Sequence, residues 1–153
     1  GELVFTTLTK QGMPLLRYRT RDLCSLYEGQ CDCGRTSVKM GRLLGRSDDM
    51  LIIRGINVFP SQIEYTLMRI PEVGEQYMII VTREGPLDNL TIQVEIKDEA
   101  FSDKMEDMVR IRARIESDLK KYLNIAAKVE LKAPGELPRF EGKAKRVIDK
   151  RVI

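Results

Sequence analysis

The side chains best placed for chemistry lie in a basic run near the carboxyl end, where Arg139, Lys143, Lys145, Arg146, Lys150 and Arg151 face only Glu141 and Asp149. Such an excess is either a solvated end or a surface that meets a phosphate-bearing ligand. Two earlier clusters also concentrate charge. Arg17, Arg19, Arg21 and Asp22 amount, by themselves, to a surface ion-pair cluster, and Gly45-Arg46-Ser47-Asp48-Asp49 reads as a Gly-Arg turn followed by two exposed acids. Cys31-Asp32-Cys33-Gly34, with Cys24 upstream, is a tight knuckle whose thiolates have zinc-ligating spacing. A closed zinc site needs four ligands, whereas the chain offers three cysteines and no histidine, so the fourth would come from elsewhere. An ordinary turn is the simpler reading. The absence of histidine also excludes Ser-His and Cys-His nucleophile pairs within these 153 residues.

The elements that must hold these groups follow from composition and periodicity. Hydrophobic residues make up 42% and charged residues 32%, with a net charge of +3 and no apolar run long enough to span a bilayer. This describes a soluble globular chain, and cysteines without a disulfide framework suit a reducing, cytoplasmic compartment. Residues 1 to 47 hold short β-like pieces, Glu2 to Leu8, Leu15 to Tyr18 and Leu23 to Tyr27, with a Gly12-Met13-Pro14 turn. So few residues in open strands bury too little surface to stand alone, so they are expected to pack on a large amino-terminal domain preceding Gly1.

From residue 48 the pattern tightens. Met50 to Ile53 is a short strand, Gly55-Ile56-Asn57 a bend, and Ser61-Gln62-Ile63-Glu64 a capping box opening a helix that runs to about Ile70, before Pro71. Tyr77 to Val81 reads as a strand buried on both faces. Leu90, Ile92, Val94 and Ile96 alternate with Thr91, Gln93, Glu95 and Lys97, which predicts one wet face, with Gly85-Pro86 and Asp88-Asn89 as the connecting loop. After Ser102-Asp103, the apolar positions Met105, Met108, Ile111, Ile115, Leu119 and Tyr122 predict an amphipathic helix of about five turns. Lys128 to Leu131 supplies a last strand, and residues 132 to 143 form a loop before a short final helix. The β-α-β-β-α-β order predicts an α+β sandwich with both helices on one sheet face. Ferredoxin-like regulatory domains that bind small molecules use the same order, and so do RNA-binding domains. The exposed positions Thr91, Gln93, Glu95 and Lys97 lack the aromatics of an RNA-binding sheet, so no nucleic-acid partner is expected, and no membrane partner.

Three stretches, in order, resemble the adenylate-forming acyl-CoA synthetase superfamily, and in particular its phenylacetate-CoA ligase branch. Tyr18-Arg19-Thr20-Arg21-Asp22 resembles the stretch whose final aspartate holds the ribose hydroxyls of the nucleotide, with Arg21 where the wider superfamily has glycine. Gly45-Arg46-Ser47-Asp48-Asp49-Met50-Leu51-Ile52-Ile53-Arg54-Gly55, continuing to Glu64, resembles the hinge between the large domain and a small lid domain. Leu137-Pro138-Arg139-Phe140-Glu141-Gly142-Lys143 resembles the loop that delivers a lysine to the active site, although it is shorter by what looks like one residue.

The resemblance implies roles residue by residue. Asp22 would bind the ribose, Arg46 the nucleotide, Lys143 (with Lys145 as competitor) would act in adenylation, and Asp48 would be the pivot. Arg54 and Gly55 would face the acyl-adenylate and CoA in the second half-reaction. It further implies residues 1–47 as the terminal strands of the large adenylation domain and residues 48–153 as the mobile lid. ATP, magnesium and CoA would be required, with an aryl or acyl carboxylate as substrate. On this reading the isolated chain is inactive.

Overall fold

The computed structural model describes residues 1–101, 104–140 and 145–151. The chain divides into two compact units, Gly1–Met50 and Leu51–Ile153. In the first, β1 (Glu2–Phe5), β2 (Tyr18–Leu23) and β5 (Gly45–Arg46) form an antiparallel sheet in the order β1-β2-β5, and β3 (Leu26–Tyr27) pairs separately with β4 (Lys39–Met40). Strand β2 runs across the interval between the expected strands Leu15 to Tyr18 and Leu23 to Tyr27, and of the latter only Leu26–Tyr27 remains a separate strand, β3. Arg17 has φ 49° and marks the entry to β2. The core of this unit is thin, and Leu16, Tyr18, Leu26, Tyr27, Met40 and Leu44 are exposed.

The second unit opens with a hairpin, β6 (Leu51–Ile53) and β7 (Ile56–Val58), whose loop is the pair Arg54-Gly55 at φ 51° and 77°. Two successive positive φ values are what a type I′ hairpin turn requires, so the chain reverses at Arg54-Gly55, while Ile56 and Asn57 of the expected Gly55-Ile56-Asn57 bend belong to β7. Helix α1 (Pro60–Leu67) follows. Its first residue is Pro60, not a residue after Ser61, because the proline ring pre-sets a helical φ and needs no amide partner at that position. The side chain of Gln62, rather than Glu64, reaches back to accept from the Phe59 amide at 3.0 Å. The helix closes at Leu67, three residues before the expected end, and Ile70 continues as a turn bonded to the Leu67 carbonyl.

The hairpin of β8 (Val73–Glu84) and β9 (Leu87–Ile96) is the centre of the unit. Its loop is only Gly85-Pro86, with Gly85 at φ 58°, so Asp88 and Asn89 belong to β9 instead of the loop. After helix α2 (Met105–Leu123), β10 (Lys128–Lys132) lies parallel to β9, and β11 (Val147–Asp149) lies parallel to β8, giving the sheet order β10-β9-β8-β11. Strand β11 occupies the place where a short final helix was expected. The edge of β8 offers free ladder positions, and the β-branched pair Val147-Ile148 suits them, with bonds from Ile79 N to Arg146 O and from Lys150 N to Val81 O, both 2.8 Å. The expected element order is present, but its first strand stays in the β6–β7 hairpin and β11 completes the main sheet.

Tyr77, Ile79 and Val81 oppose Val94, Ile92 and Leu90 on one face of the sheet, and all six are buried. Ile63 and Leu67 of α1 and Ile111, Ile115, Leu119 and Leu123 of α2 close the same core. The apolar stripe of α2 is narrower than its sequence suggests: Met105 is 77% exposed and Tyr122 is half exposed, where its ring meets that of Tyr65 at 5.5 Å. Helix α2 ends on Asn124 in the left-handed region at φ 56°. Among the described residues no helix is long and apolar enough to cross a membrane.

The wet face of β9 also departs from expectation, because Glu95 is only 4% exposed. Residues 133–140 cover it: its carboxylate accepts from the Leu137 amide at 2.7 Å and from Arg139 Nη2 at 2.8 Å. Burial works against the charge, but these donors, with the Gly135 amide, outweigh it and hold the carboxyl below its ordinary value of 4.5.

Two sets of unfolding measurements on the 153-residue chain test this packing. Ile115→Ala is expected to cost about 2–5 kcal/mol, whereas Met105→Ala should stay within about 0.5 kcal/mol. Equal losses would contradict the narrow stripe. Glu95→Gln is expected to cost about 1–3 kcal/mol at neutral pH. Because the folded value is lowered, that contribution is complete above about pH 4.5 and disappears as pH falls through the folded value. The substitution should therefore flatten the acid limb of the stability curve, and an unchanged limb would show that Glu95 is not the buried anion described.

Candidate active site

Antiparallel pairing of β2 with β5 sets Asp22 opposite Arg46. The guanidinium is then surrounded by acceptors. Nη1 donates to Asp22 Oδ1 and to the Thr20 carbonyl, each at 3.3 Å, while Nε and Nη2 form a fork on Asp48 at 3.1 and 2.9 Å. Asp49 adds a longer ion pair at 3.7 Å. Donating to Asp48 raises the Arg46 pKa above its already high value, and Arg46 in turn holds the Asp48 carboxyl below the usual range. Three of the residues singled out in the sequence, Asp22, Arg46 and Asp48, thus form one cluster. A fixed cation between partly exposed carboxylates can bind an anionic ligand by exchanging its internal acceptors for phosphate oxygens.

Arg54 and Gly55 lie at the tip of the β6–β7 hairpin. Arg54 donates from Nε to the Asp88 carbonyl at 2.7 Å and from Nη2 to Asn89 Oδ1 at 3.1 Å. Among the described residues other than its chain neighbours, none has a heavy atom within 4 Å of where a Cβ on Gly55 would stand, so the space beside its backbone is open to them. Lys143 falls outside the described residues, as do Glu141 and Gly142. The described chain on either side is tied to the second unit. Arg139 is held by Glu95, and Arg146 donates to Glu64 at 3.0 Å and lies over the Tyr77 ring at 4.4 Å. Lys145 is exposed.

The cysteine knuckle is a turn closed by bonds from Gly34 N to Cys31 O at 2.8 Å and from Cys31 N to Arg35 O at 3.0 Å. Cys24 is buried, Cys33 exposed, and all three cysteines are free. Contacts from the Cys33 amide and thiol lower the Cys31 pKa. Among the described residues no three His, Cys, Asp or Glu side chains are grouped to hold a metal ion.

Sequence reasoning missed the anchors. Asp88, Arg151, Glu95 and Arg139 were read as loop, basic tail or wet face, yet Asp88 and Glu95 are the buried acids of β9. A two-residue reading of Gly85-Pro86 would have placed Asp88 on the strand opposite Arg83, and that spacing was the available signal.

Comparison with known proteins gives the family. Residues 55–151 match the family described as AMP-binding enzyme C-terminal domain. The chain is 48% identical over 164 aligned residues to phenylacetate-coenzyme A ligase of Thermus thermophilus, covering 99% of this chain and 37% of that protein. It is 44% identical to the Escherichia coli phenylacetate-coenzyme A ligase, covering 100% of this chain and 34% of that protein. The chain therefore spans about a third of the length of these relatives. Among solved structures, a 2-hydroxyisobutyryl-CoA ligase in a postadenylation state is similar with a TM-score of 0.86 and 33% identity, over 97% of this chain and 32% of that one. A domain of phenylacetate-coenzyme A ligase from Bacteroides vulgatus is similar with a TM-score of 0.62 and 33% identity, over 69% of this chain and 95% of that one. The chain belongs to the AMP-binding enzyme C-terminal domain family, and its likeness runs over the carboxyl-terminal portion of phenylacetate-coenzyme A ligases.

Proposed function

We propose that this chain serves as the carboxyl-terminal part of an AMP-forming acid–CoA ligase acting on phenylacetate or a related aryl acid. In the first half-reaction the acid carboxylate attacks the α-phosphate of ATP and releases pyrophosphate. In the second, the CoA thiol attacks the acyl carbon and AMP leaves. The observation that carries the reading is 48% identity to a phenylacetate-coenzyme A ligase across 99% of the chain. The Asp22–Arg46 pair supports it, since a carboxylate beside a fixed cation suits a ribose diol beside a phosphate. The exposed apolar side chains of residues 1–50 support a preceding large domain as their cover, with residues 1–47 as its last strands and 48–153 as the lid.

In this reading Asp22 accepts from the ribose hydroxyls, and Arg46 gives up part of its carboxylate shell to the nucleotide. Lys143 bridges the acyl oxygen and the α-phosphate, relieving the repulsion between two anions as the bond forms. Asp48 is the pivot by which the lid turns from the first task to the second. Arg54 and Gly55 then face the acyl-adenylate, with the open side of Gly55 leaving room for the pantetheine arm. Magnesium would travel with the triphosphate. Among the described residues no three His, Cys, Asp or Glu side chains are grouped to hold it by themselves, so the triphosphate oxygens would supply most of its ligands. The free cysteines fit a reducing cytoplasm.

The test uses the full-length ligase with its two half-reactions assayed separately. Lys143→Ala is expected to slow pyrophosphate release by about 10²- to 10³-fold while thioester formation from supplied acyl-adenylate stays within about twofold. Equal loss in both halves, or a larger loss from Lys145→Ala, would overturn the assignment. The 153-residue chain alone should release no pyrophosphate from phenylacetate and ATP, and release by it would overturn the division between the two domains.

A further inference from the structure

The β6–β7 turn is strained and held from one side by a buried charge network. Arg54 occupies the left-handed region at φ 51°, a conformation that glycine or asparagine adopts more readily and that strains other L-residues. Its guanidinium is bonded to the Asp88 carbonyl and the Asn89 side chain, so the strained backbone is tied to the first turn of β9.

Asp88 is 7% exposed and uses both carboxylate oxygens: Arg83 Nε donates to Oδ1 at 2.8 Å and Arg151 Nη1 to Oδ2 at 3.1 Å. Arg151 is itself nearly enclosed. Its Nη1 also donates to the Ile52 carbonyl at 2.6 Å, and its Nε and Nη2 grip Asp149 at 2.9 and 2.6 Å. One guanidinium therefore joins β11, β9 and the backbone of β6 two residues before Arg54. A planar, always-charged fork is required, because a lysine could not reach three acceptors in one plane.

We infer that Asp88 and Arg151 are positioning residues for the acyl-transfer half-reaction, fixing the Arg54–Gly55 turn at the height and angle at which it meets the acyl-adenylate and the CoA arm. The inference rests on the reading of Arg54 and Gly55 given under Proposed function. Neither Asp88 nor Arg151 touches substrate. They act through the β6 carbonyl and through the Arg54 side chain, which restrain the turn before CoA arrives and so reduce the ordering cost of transfer. Adenylation, assigned to Asp22, Arg46 and Lys143, makes no use of this network.

The experiment compares Asp88→Asn and Arg151→Lys with the unsubstituted full-length ligase. It follows pyrophosphate release, acyl transfer from supplied acyl-adenylate, and amide hydrogen exchange over residues 52–58. Loss of one charge-assisted bond of this kind is expected to slow transfer, or raise the KM for CoA, by about 10- to 100-fold, with adenylation within about twofold. Exchange should quicken at residues 52–58 and not over β8 and α2. Asp88→Glu, which keeps the charge, should recover part of the transfer rate. Transfer that is unchanged in both variants overturns the inference, and so does a parallel fall of adenylation and transfer, which would mark a general folding defect. If the unsubstituted ligase forms no adenylate from any acid while exchange at 52–58 still responds to Asp88→Asn, the functional reading fails and the restraint on the turn stands.

Discussion

The second unit depends on the antiparallel ladder between β8 and β9. Tyr77 with Val94, Ile79 with Ile92 and Val81 with Leu90 form the floor on which both helices pack, and β10 and β11 each take their register from this pair. The ladder also fixes where charge can be buried. Strand β9 carries one enclosed acid near each end, Asp88 beside the Gly85-Pro86 turn and Glu95 before Ile96. Asp88 is matched by two arginines and Glu95 by one arginine and backbone amides, the condition under which buried carboxylates are tolerated. Asp88 collects Arg83 and Arg151 and lends its carbonyl to Arg54, while Glu95 gathers Leu137 and Arg139. A single strand thereby anchors two segments far apart in sequence.

The cluster in residues 1–50 works on a different principle. Arg46 is partly exposed, and its fork on Asp48 is an ion pair between adjacent parts of one turn. Such a pair contributes little to stability in water. On the proposed function its use is to keep a cation oriented and ready to trade acceptors, a task for which a firmly buried pair would be unsuited. Arg46, partly open to solvent among carboxylates, thus differs from Arg151, which is nearly enclosed and holds the Ile52 carbonyl.

Much of this was legible in the sequence because the periodicities are strong. The Tyr77 to Val81 run, the alternation from Leu90 to Ile96 and the spacing of Ile111, Ile115 and Leu119 define the central strand pair of the main sheet and the long helix. The order of Asp22, Arg46, Asp48 and Gly55 likewise pointed to the family. What stayed hidden depends on tertiary contact. Glu95 reads as a wet position until residues 133–140 cover it, and Val147 to Asp149 is too short to declare itself a strand without the open edge of β8. Gly85-Pro86-Leu87-Asp88-Asn89 has the composition of one long loop, but a two-residue turn suffices and puts Asp88 on β9 opposite Arg83. Met105 and Tyr122 keep the helical spacing but lie beyond the reach of the core.

The central claim of the account is that one lid serves two half-reactions by turning at Asp48, presenting Lys143 for adenylation and the Arg54–Gly55 turn for transfer. Asp48→Pro in the full-length ligase addresses it most directly, with Asp48→Ala as the reference. Both substitutions remove the ion pair to Arg46, but only proline fixes φ near about −65°, removes the amide hydrogen and restricts Ser47. The account predicts that pyrophosphate exchange by the proline variant stays close to that of the alanine variant, while its CoA-dependent thioester formation falls severely. A proline variant with overall turnover equal to that of the alanine variant would contradict it.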